Sequence, residues 1–270
     1  MQESEIAKRG LVLLGCGKMG SAMLEGWLAR GLPKTLVWVM DPHPSDWLSA
    51  QGVRLNEGVP EDPAVVLIAV KPQMMADALP SLQALGNGTT VFLSVAAGIP
   101  IATFERMLGA HSPVIRAMPN TPAAVGRGIT AIIGNPHVSE GDLDAAEALL
   151  SAVGEVVRLE DESQMDAVTG VSGSGPAYVF HMIECMAAAG VAEGLSPELA
   201  LQLARATVAG AGALAMSGED PGQLRKNVTS PNGTTQAGLE VLMNADTGLP
   251  PLMKAVVRAA AARSKELANG

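Results

Sequence analysis

The chain has 270 residues, 48% of them hydrophobic and 17% charged, which is enough to bury a sizeable core and too apolar for a disordered chain. A formal net charge of −9 argues against nucleic acid as a partner, since proteins that bind it carry a basic face. Cys16 and Cys185 have no CxxC or Cys/His neighbourhood, so neither a disulfide framework nor a metal site is expected. The opening "MQESEIAKRG" lacks the apolar core of a signal peptide, and the most apolar later stretches are interrupted by His181, Glu184, Gln202 and Arg205. A reduced, cytoplasmic protein with no membrane partner is the expectation.

Short β-branched runs alternate with helical patterns in the first part. "LVLLG" (11–15) reads as a buried strand and "MGSAMLEGWLARG" (19–31) as the helix after it. "TLVWVMD" (35–41), "VVLIAV" (65–70), "TVFLSVAAG" (90–98) and "VIRAMPN" (114–120) read as further strands, with "TAIIGN" and "EVVRLE" extending the sheet. Strands alternating with helices imply an α/β fold, a Rossmann-like, doubly wound and mainly parallel sheet. From about Asp166 no convincing strand follows. Ser196-Pro197 and Asp220-Pro221 are N-cap and first-turn pairs, and the rest reads as helices rich in Ala and Gly. The expected division is a dinucleotide-binding domain over 1–165 and an all-helical domain over 166–270. Helices with so little side-chain bulk need further partners, which points to a homo-oligomer.

"GCGKMG" sets Gly15, Gly17 and Gly20 at GxGxxG spacing, with Cys16, Lys18 and Met19 between them. The spacing alone is weak; its place between a strand and a helix gives it meaning as a dinucleotide loop. Gly15 permits the turn, Gly17 lets a pyrophosphate approach, and Gly20 allows close helix–strand packing. The helix N-terminus then offers free N–H groups to phosphate. Asp41 ends the second strand 21 residues after Gly20, where a carboxylate holds a ribose 2′-hydroxyl and repels a 2′-phosphate. No Arg or Lys stands in "DPHPSDW", so NADH is favoured over NADPH, although His43 or Ser45 is within chain reach of a phosphate. Ligands of open α/β sheets collect at strand C-termini, so "AVKP" (Ala69, Val70, Lys71, Pro72) and Val95, Ala96, Ala97 and Gly98 should line the coenzyme. Lys71 also reads as a solvated loop lysine, and only its position argues otherwise.

Acid–base machinery is scarce. The four histidines are scattered, and His181 falls in an apolar helix. Asn120 and Thr121 sit in a turn braced by Pro119 and Pro122, a place for substrate or nicotinamide contacts or simply a connection. "GVSGSGPAYVF" has the glycines of β-hydroxyacid dehydrogenases, but Val179 and Ile183 stand where those enzymes carry their Lys and Asn. Proton transfer on a hydroxyl is thereby disfavoured.

Taken in order, "GCGKMG", "AVKPQ", "MPNTPAAVG", "DAVTGVSGSGPAY" and "SPNGTTQAGL" resemble the pyrroline-5-carboxylate reductases over nearly the whole chain. The resemblance implies hydride transfer from NADH or NADPH to the C=N carbon of 1-pyrroline-5-carboxylate, giving L-proline, the last step of proline biosynthesis. A cyclic imine protonates near neutral pH and accepts hydride once positioned, so little acid–base apparatus is needed. The family's substrate loop maps onto Ser230, Pro231, Asn232, Gly233, Thr234 and Thr235. Thr235 matches the threonine whose hydroxyl faces the imine nitrogen, and Asn227 a pocket asparagine. Glu162 falls near an acidic residue that the family uses at its site. Asn232 stands where the family has glycine, and Asn tolerates the left-handed conformation such a loop requires. Thr234 or Thr235 is the expected cap of the helix that follows. The resemblance further implies helical dimerisation domains that interlock, assemble into rings and build each site from two chains. A dinucleotide sensor without activity would keep "GCGKMG" but have no need of "SPNGTT".

Overall fold

The computed structural model describes residues 5–268, which begin with a short helix α1 (Glu5–Arg9). Apolar runs flanked by Gly, Pro or polar residues then form the strands β1 (Leu11–Leu14), β2 (Val37–Met40), β3 (Arg54–Leu55), β4 (Val65–Ile68), β5 (Val91–Ser94), β6 (Val114–Met118), β7 (Gly128–Gly134) and β8 (Gly154–Arg158). Between them run α2 (Lys18–Ala29), α3 (Asp46–Ser49), α4 (Met75–Ala78), α5 (Ile101–Leu108) and α6 (Glu140–Leu150). The eight strands make one sheet in the order β3-β2-β1-β4-β5-β6-β7-β8. Every pairing is parallel except β6 with β7.

Strands buried on both faces read as continuous apolar runs, and the two faces separate by alternation. Leu11, Leu13, Val37, Val39, Val65 and Leu67 pack with Met23, Leu24 and Trp27 of α2 and with Leu149 and Leu150 of α6. Val12, Leu14, Val66, Ile68 and Phe92 face the other way, onto Met75 of α4 and Ile101, Phe104 and Leu108 of α5. Each strand anticipated from the sequence is present; β3, two residues long, was not anticipated.

The chain continues through α7 (Met165–Val168), a π-helical turn over Thr169–Gly173, and then α8 (Gly175–Ala192), α9 (Pro197–Ala215), α10 (Pro221–Asn227), α11 (Thr234–Leu242) and α12 (Leu249–Ala268). Contacts divide it into two compact units, one holding the residues through Gly173 with those from Ala260 on, the other Ser174–Ala259. The division therefore falls later than the change in sequence pattern at 166. Met165 is fully buried, and the Ser264 hydroxyl donates to Asp166 Oδ1 at 2.7 Å, so α7 and the last turns of α12 belong to the sheet unit.

In the helical unit, Ser196 and Asp220 cap α9 and α10 as anticipated, accepting from the N–H groups of Leu199 and Gln223. The helices α8 and α9 pack closely where Gly190 meets Ala200. Yet Ala200 and Ala204 are its buried hydrophobic residues, while Phe180, Met182, Met186, Leu199, Leu203 and Leu214 are exposed. Among the described residues, no helix is long and apolar enough to cross a membrane.

The Ser264–Asp166 bond supplies the prediction here. Ser264→Ala leaves a half-buried carboxylate oxygen without its donor and should cost about 1.5–3 kcal/mol, read as a lowered urea midpoint with the slope unchanged.

Candidate active site

The glycine-rich loop lies where β1 turns into α2. Gly15 holds φ +86°, and a Cβ there would come within 2.8 Å of Val70 Cγ1. A Cβ on Gly20 would stand 2.5 Å from the Gly15 carbonyl oxygen, so both positions exclude side chains. Gly17, by contrast, faces open space and is the N-cap of α2 with no side-chain cap. The first-turn N–H groups of a twelve-residue helix are thus left for an anion at the carboxyl end of a parallel strand. Lys18 is exposed and Met19 half-buried on that turn. These residues fit a dinucleotide pyrophosphate.

The Cys16 thiol is buried beside the loop, with the Ser21 hydroxyl donating to the Cys16 carbonyl oxygen at 2.9 Å. Burial pushes this thiol above its ordinary range, the Ser21 hydrogen bond opposes that, and the Asp41 carboxylate adds to it. Cys16 is therefore a neutral packing group rather than a nucleophile.

Asp41 is placed as the spacing predicts. Its Oδ2 accepts from the Cys16 N–H at 2.7 Å and its Oδ1 from the His43 N–H at 2.8 Å. Asn56, left-handed at φ 55°, clamps the Asp41 backbone from both sides, Oδ1 accepting the Asp41 N–H and Nδ2 donating to the Asp41 carbonyl. Asn56 was missed from sequence. Its signal is the Asn-Glu-Gly turn after β3, legible only once that strand is known.

Ala69, Val70, Lys71 and Pro72 follow β4, and Val95, Ala96, Ala97 and Gly98 follow β5, at the same sheet edge as the glycine loop. The Ala96 N–H is held by Ser94 Oγ at 3.3 Å, and Gly98 lies against Leu267 of α12. Beyond that loop the Ile101 N–H donates to Glu162 Oε1 at 3.0 Å, and Arg116 Nη1 donates to the same oxygen at 2.7 Å. The Arg116 side chain is only 6% exposed, so Glu162 is the carboxylate that balances a buried charge. Arg116 was not singled out in the sequence; a lone arginine inside the apolar run "VIRAM" is a signal that a partner must exist.

Asn120 is likewise engaged. Its Oδ1 accepts the Ile129 N–H at 3.0 Å and its Nδ2 donates to the Ser172 carbonyl at 3.1 Å, tying the exit of β6 to β7 and the π-helical turn. Thr121 opens the 3₁₀ turn that follows.

In the helical unit the loop before α11 is built as its residues require. Asn232 is left-handed at φ 60°, and its N–H donates to Gln236 Oε1 at 2.8 Å, while Gln236 Nε2 donates to Glu240 at 3.1 Å. Gly233, whose N–H bonds the Ser230 carbonyl, is the N-cap, with no side-chain cap. The expected capping by Thr234 or Thr235 is thus corrected: both lie inside the first turn, after the N-cap position that Gly233 takes. Thr235 is exposed. Asn227 ends α10 with its amide bonded to Glu219 and Gln223. Gln236 was missed, because its bond runs backward from helix to loop.

Comparison with known proteins follows this geometry. Residues 162–267 match the family described as pyrroline-5-carboxylate reductase dimerisation, and residues 10–98 match NADP oxidoreductase coenzyme F420-dependent. The chain is 39% identical to a pyrroline-5-carboxylate reductase of Pseudomonas aeruginosa over 96% of its own length and 97% of that protein's. A pyrroline-5-carboxylate reductase structure from Coxiella burnetii superposes with a TM-score of 0.89 at 31% identity, covering 96% of this chain and 98% of that one. The pyrroline carboxylate reductase of Plasmodium falciparum, solved with NADP bound, gives 0.82 at 28% identity over 96% and 98%.

Replacing Asn120 by Ala strips partners from two backbone groups at once. The expected cost is about 1–3 kcal/mol in urea unfolding, with Asn120→Asp costing no less, because its second oxygen faces the Ser172 carbonyl and a charge is buried.

Proposed function

The chain belongs to the pyrroline-5-carboxylate reductase family, and from that premise we propose how its residues divide the work. The protein is an NAD(P)H-dependent oxidoreductase that reduces 1-pyrroline-5-carboxylate to L-proline, the last step of proline biosynthesis. The observation that carries the reading is the start of α11, a helix N-terminus with no side-chain cap, preceded by the Ser230–Thr235 loop and bearing an exposed hydroxyl on Thr235. An uncapped first turn suits a carboxylate, the one fixed charge of this substrate.

Ser230, Asn232, Gly233 and Thr234 shape the loop and turn that hold the carboxylate, and Asn227 sets the turn before them. The Thr235 hydroxyl donates to the imine nitrogen and orients it. As the C=N carbon takes up hydride, its nitrogen takes a proton through the Thr235 hydroxyl, which water reprotonates, and becomes the secondary amine of proline. When bound, the reduced nicotinamide supplies that hydride. Gly15, Cys16, Gly17, Lys18, Met19 and Gly20 hold the pyrophosphate, and Ala69–Pro72 with Val95–Gly98 line the nicotinamide half. Asn120 fixes the exit of β6 at the coenzyme edge of the sheet through its two backbone bonds.

For the coenzyme we assign NADH. The Asp41 carboxylate is held by the Cys16 and His43 N–H groups and its backbone by Asn56, so it stays in place against a 2′-phosphate. The protein is a homo-oligomer that acts on a small molecule. The exposed apolar helices of the 174–259 unit support a dimer with interlocked helical domains, assembled further into a ring, and a cytoplasmic location accompanies the pathway.

Purified protein should oxidise NADH in the presence of 1-pyrroline-5-carboxylate with stoichiometric proline; no turnover with NADH or NADPH sinks the reading. Thr235→Ala should lower kcat by roughly 10–100-fold, the worth of one aligned donor, with NADH affinity unchanged by fluorescence titration. Asp41→Ser should shift the ratio of kcat/KM values toward NADPH by about tenfold or more, and an NADPH preference in the unaltered protein would refute the Asp41 assignment.

A further inference from the structure

Family resemblance draws Glu162 to the substrate, but its hydrogen bonds are with the protein. One oxygen, Oε1, takes both the Arg116 guanidinium at 2.7 Å and the Ile101 N–H at 3.0 Å. The Ile101 amide opens α5, immediately after the Val95–Pro100 stretch that runs off the carboxyl end of β5. Side chains pin both ends of that stretch. Ser94 Oγ holds the Ala96 N–H at its start, and Glu162 holds the Ile101 N–H at its end. Leu267 packs on Gly98 between them. Arg116 pairs in register with Ser94, so the charge that orients Glu162 comes from the strand beside the loop.

We propose that Glu162 is a positioning residue for the coenzyme: braced by Arg116, it fixes the Val95–Pro100 loop against which the nicotinamide half lies, and it does not act as an acid on the substrate. The assignment rests on the reading of this sheet edge as the coenzyme site. Its chemistry is simple. A carboxylate at the first turn of α5 accepts an orphan N–H with favourable dipole alignment, and a buried guanidinium holds it in place. Glu162 is also the first residue of the segment that matches the dimerisation family, so this bond ties that segment's beginning to the loop that meets the coenzyme.

The test separates the brace from the buried charge. Removing Glu162 alone strands Arg116 and can prevent folding, so Arg116→Met accompanies each change and takes the charge away. Arg116→Met/Glu162→Gln keeps a carbonyl oxygen for the Ile101 N–H; Arg116→Met/Glu162→Ala does not. Fluorescence titration of each purified protein with NADH and with NADPH, without substrate, reads the coenzyme Kd directly. The Gln pair should bind within about threefold of the unaltered protein, and the Ala pair about tenfold more weakly, the worth of one hydrogen bond. The pH profile of kcat and the KM for 1-pyrroline-5-carboxylate should be unchanged in the Gln pair. Equal coenzyme Kd values in the two pairs, or a shifted pH profile with raised substrate KM in the Gln pair, would overturn the proposal. A protein that binds coenzyme but never reduces the imine would instead refute the reductase reading and leave this assignment intact; one that binds neither coenzyme would refute this assignment.

Discussion

Between Gly15 and Gly20 the exit of β1 and the first turn of α2 approach so closely that no side-chain carbon fits, a Cβ on Gly20 standing 2.5 Å from the Gly15 carbonyl oxygen. This contact sets the depth at which α2 lies on the sheet. Met23, Leu24 and Trp27 then reach the core, and the Trp27 indole N–H reaches the Leu149 carbonyl at 2.9 Å, joining α2 to α6. The same contact aims the uncapped end of α2 across the carboxyl edge of β1 and β4. It also brings the Cys16 amide to Asp41, so a single close packing distance sets the glycine turn beside the carboxylate that follows β2.

The sheet unit buries a charge near that edge and satisfies it locally. Arg116 lies in a strand whose neighbours are apolar, and Glu162 meets it from a segment that follows β8 by only a few residues. Such pairs contribute little net stability, but breaking them is costly, which makes them effective at fixing geometry. The helical unit is built on the opposite principle. Its Ala- and Gly-rich helices pack closely but remove little apolar area from water within one chain, leaving Phe180, Met182, Leu203 and Leu214 exposed. A second copy of the chain is the economical cover for such a surface, and the family match to dimerisation spans these helices.

The strands were legible because parallel strands buried on both faces spell uninterrupted apolar runs of four or five residues. A two-residue strand such as β3 carries no period, and the reversal of β7 depends on a turn geometry that its residues do not announce. The pattern change at 166 was visible, yet α7 stays with the sheet unit because of Met165 burial and a bond from Ser264, 98 positions along the chain. The glycine loop and Asp41 were legible as spacing. Asn120 was legible as a polar residue at the right edge and Glu162 only through the family resemblance, but their partners at Ser172 and Arg116 are tertiary facts, and those partners decide what each amide or carboxylate does.

Asn232 shows how a departure from a family pattern is absorbed. Glycine enters the left-handed region freely, whereas Asn does so at a cost of order 1 kcal/mol. Here the Asn232 N–H is taken by Gln236 Oε1, and Gln236 is itself oriented by Glu240 one turn further along α11. The loop conformation is therefore held by a side chain reaching back from the helix, where the family relies on backbone freedom. With the Asn232 and Gly233 N–H groups already bonded inside the protein, the N–H groups left for an anion are those of the first turn of α11. That turn carries the Thr235 hydroxyl, so the side chain that compensates for Asn232 also confines the free donors to the end of the helix that bears it.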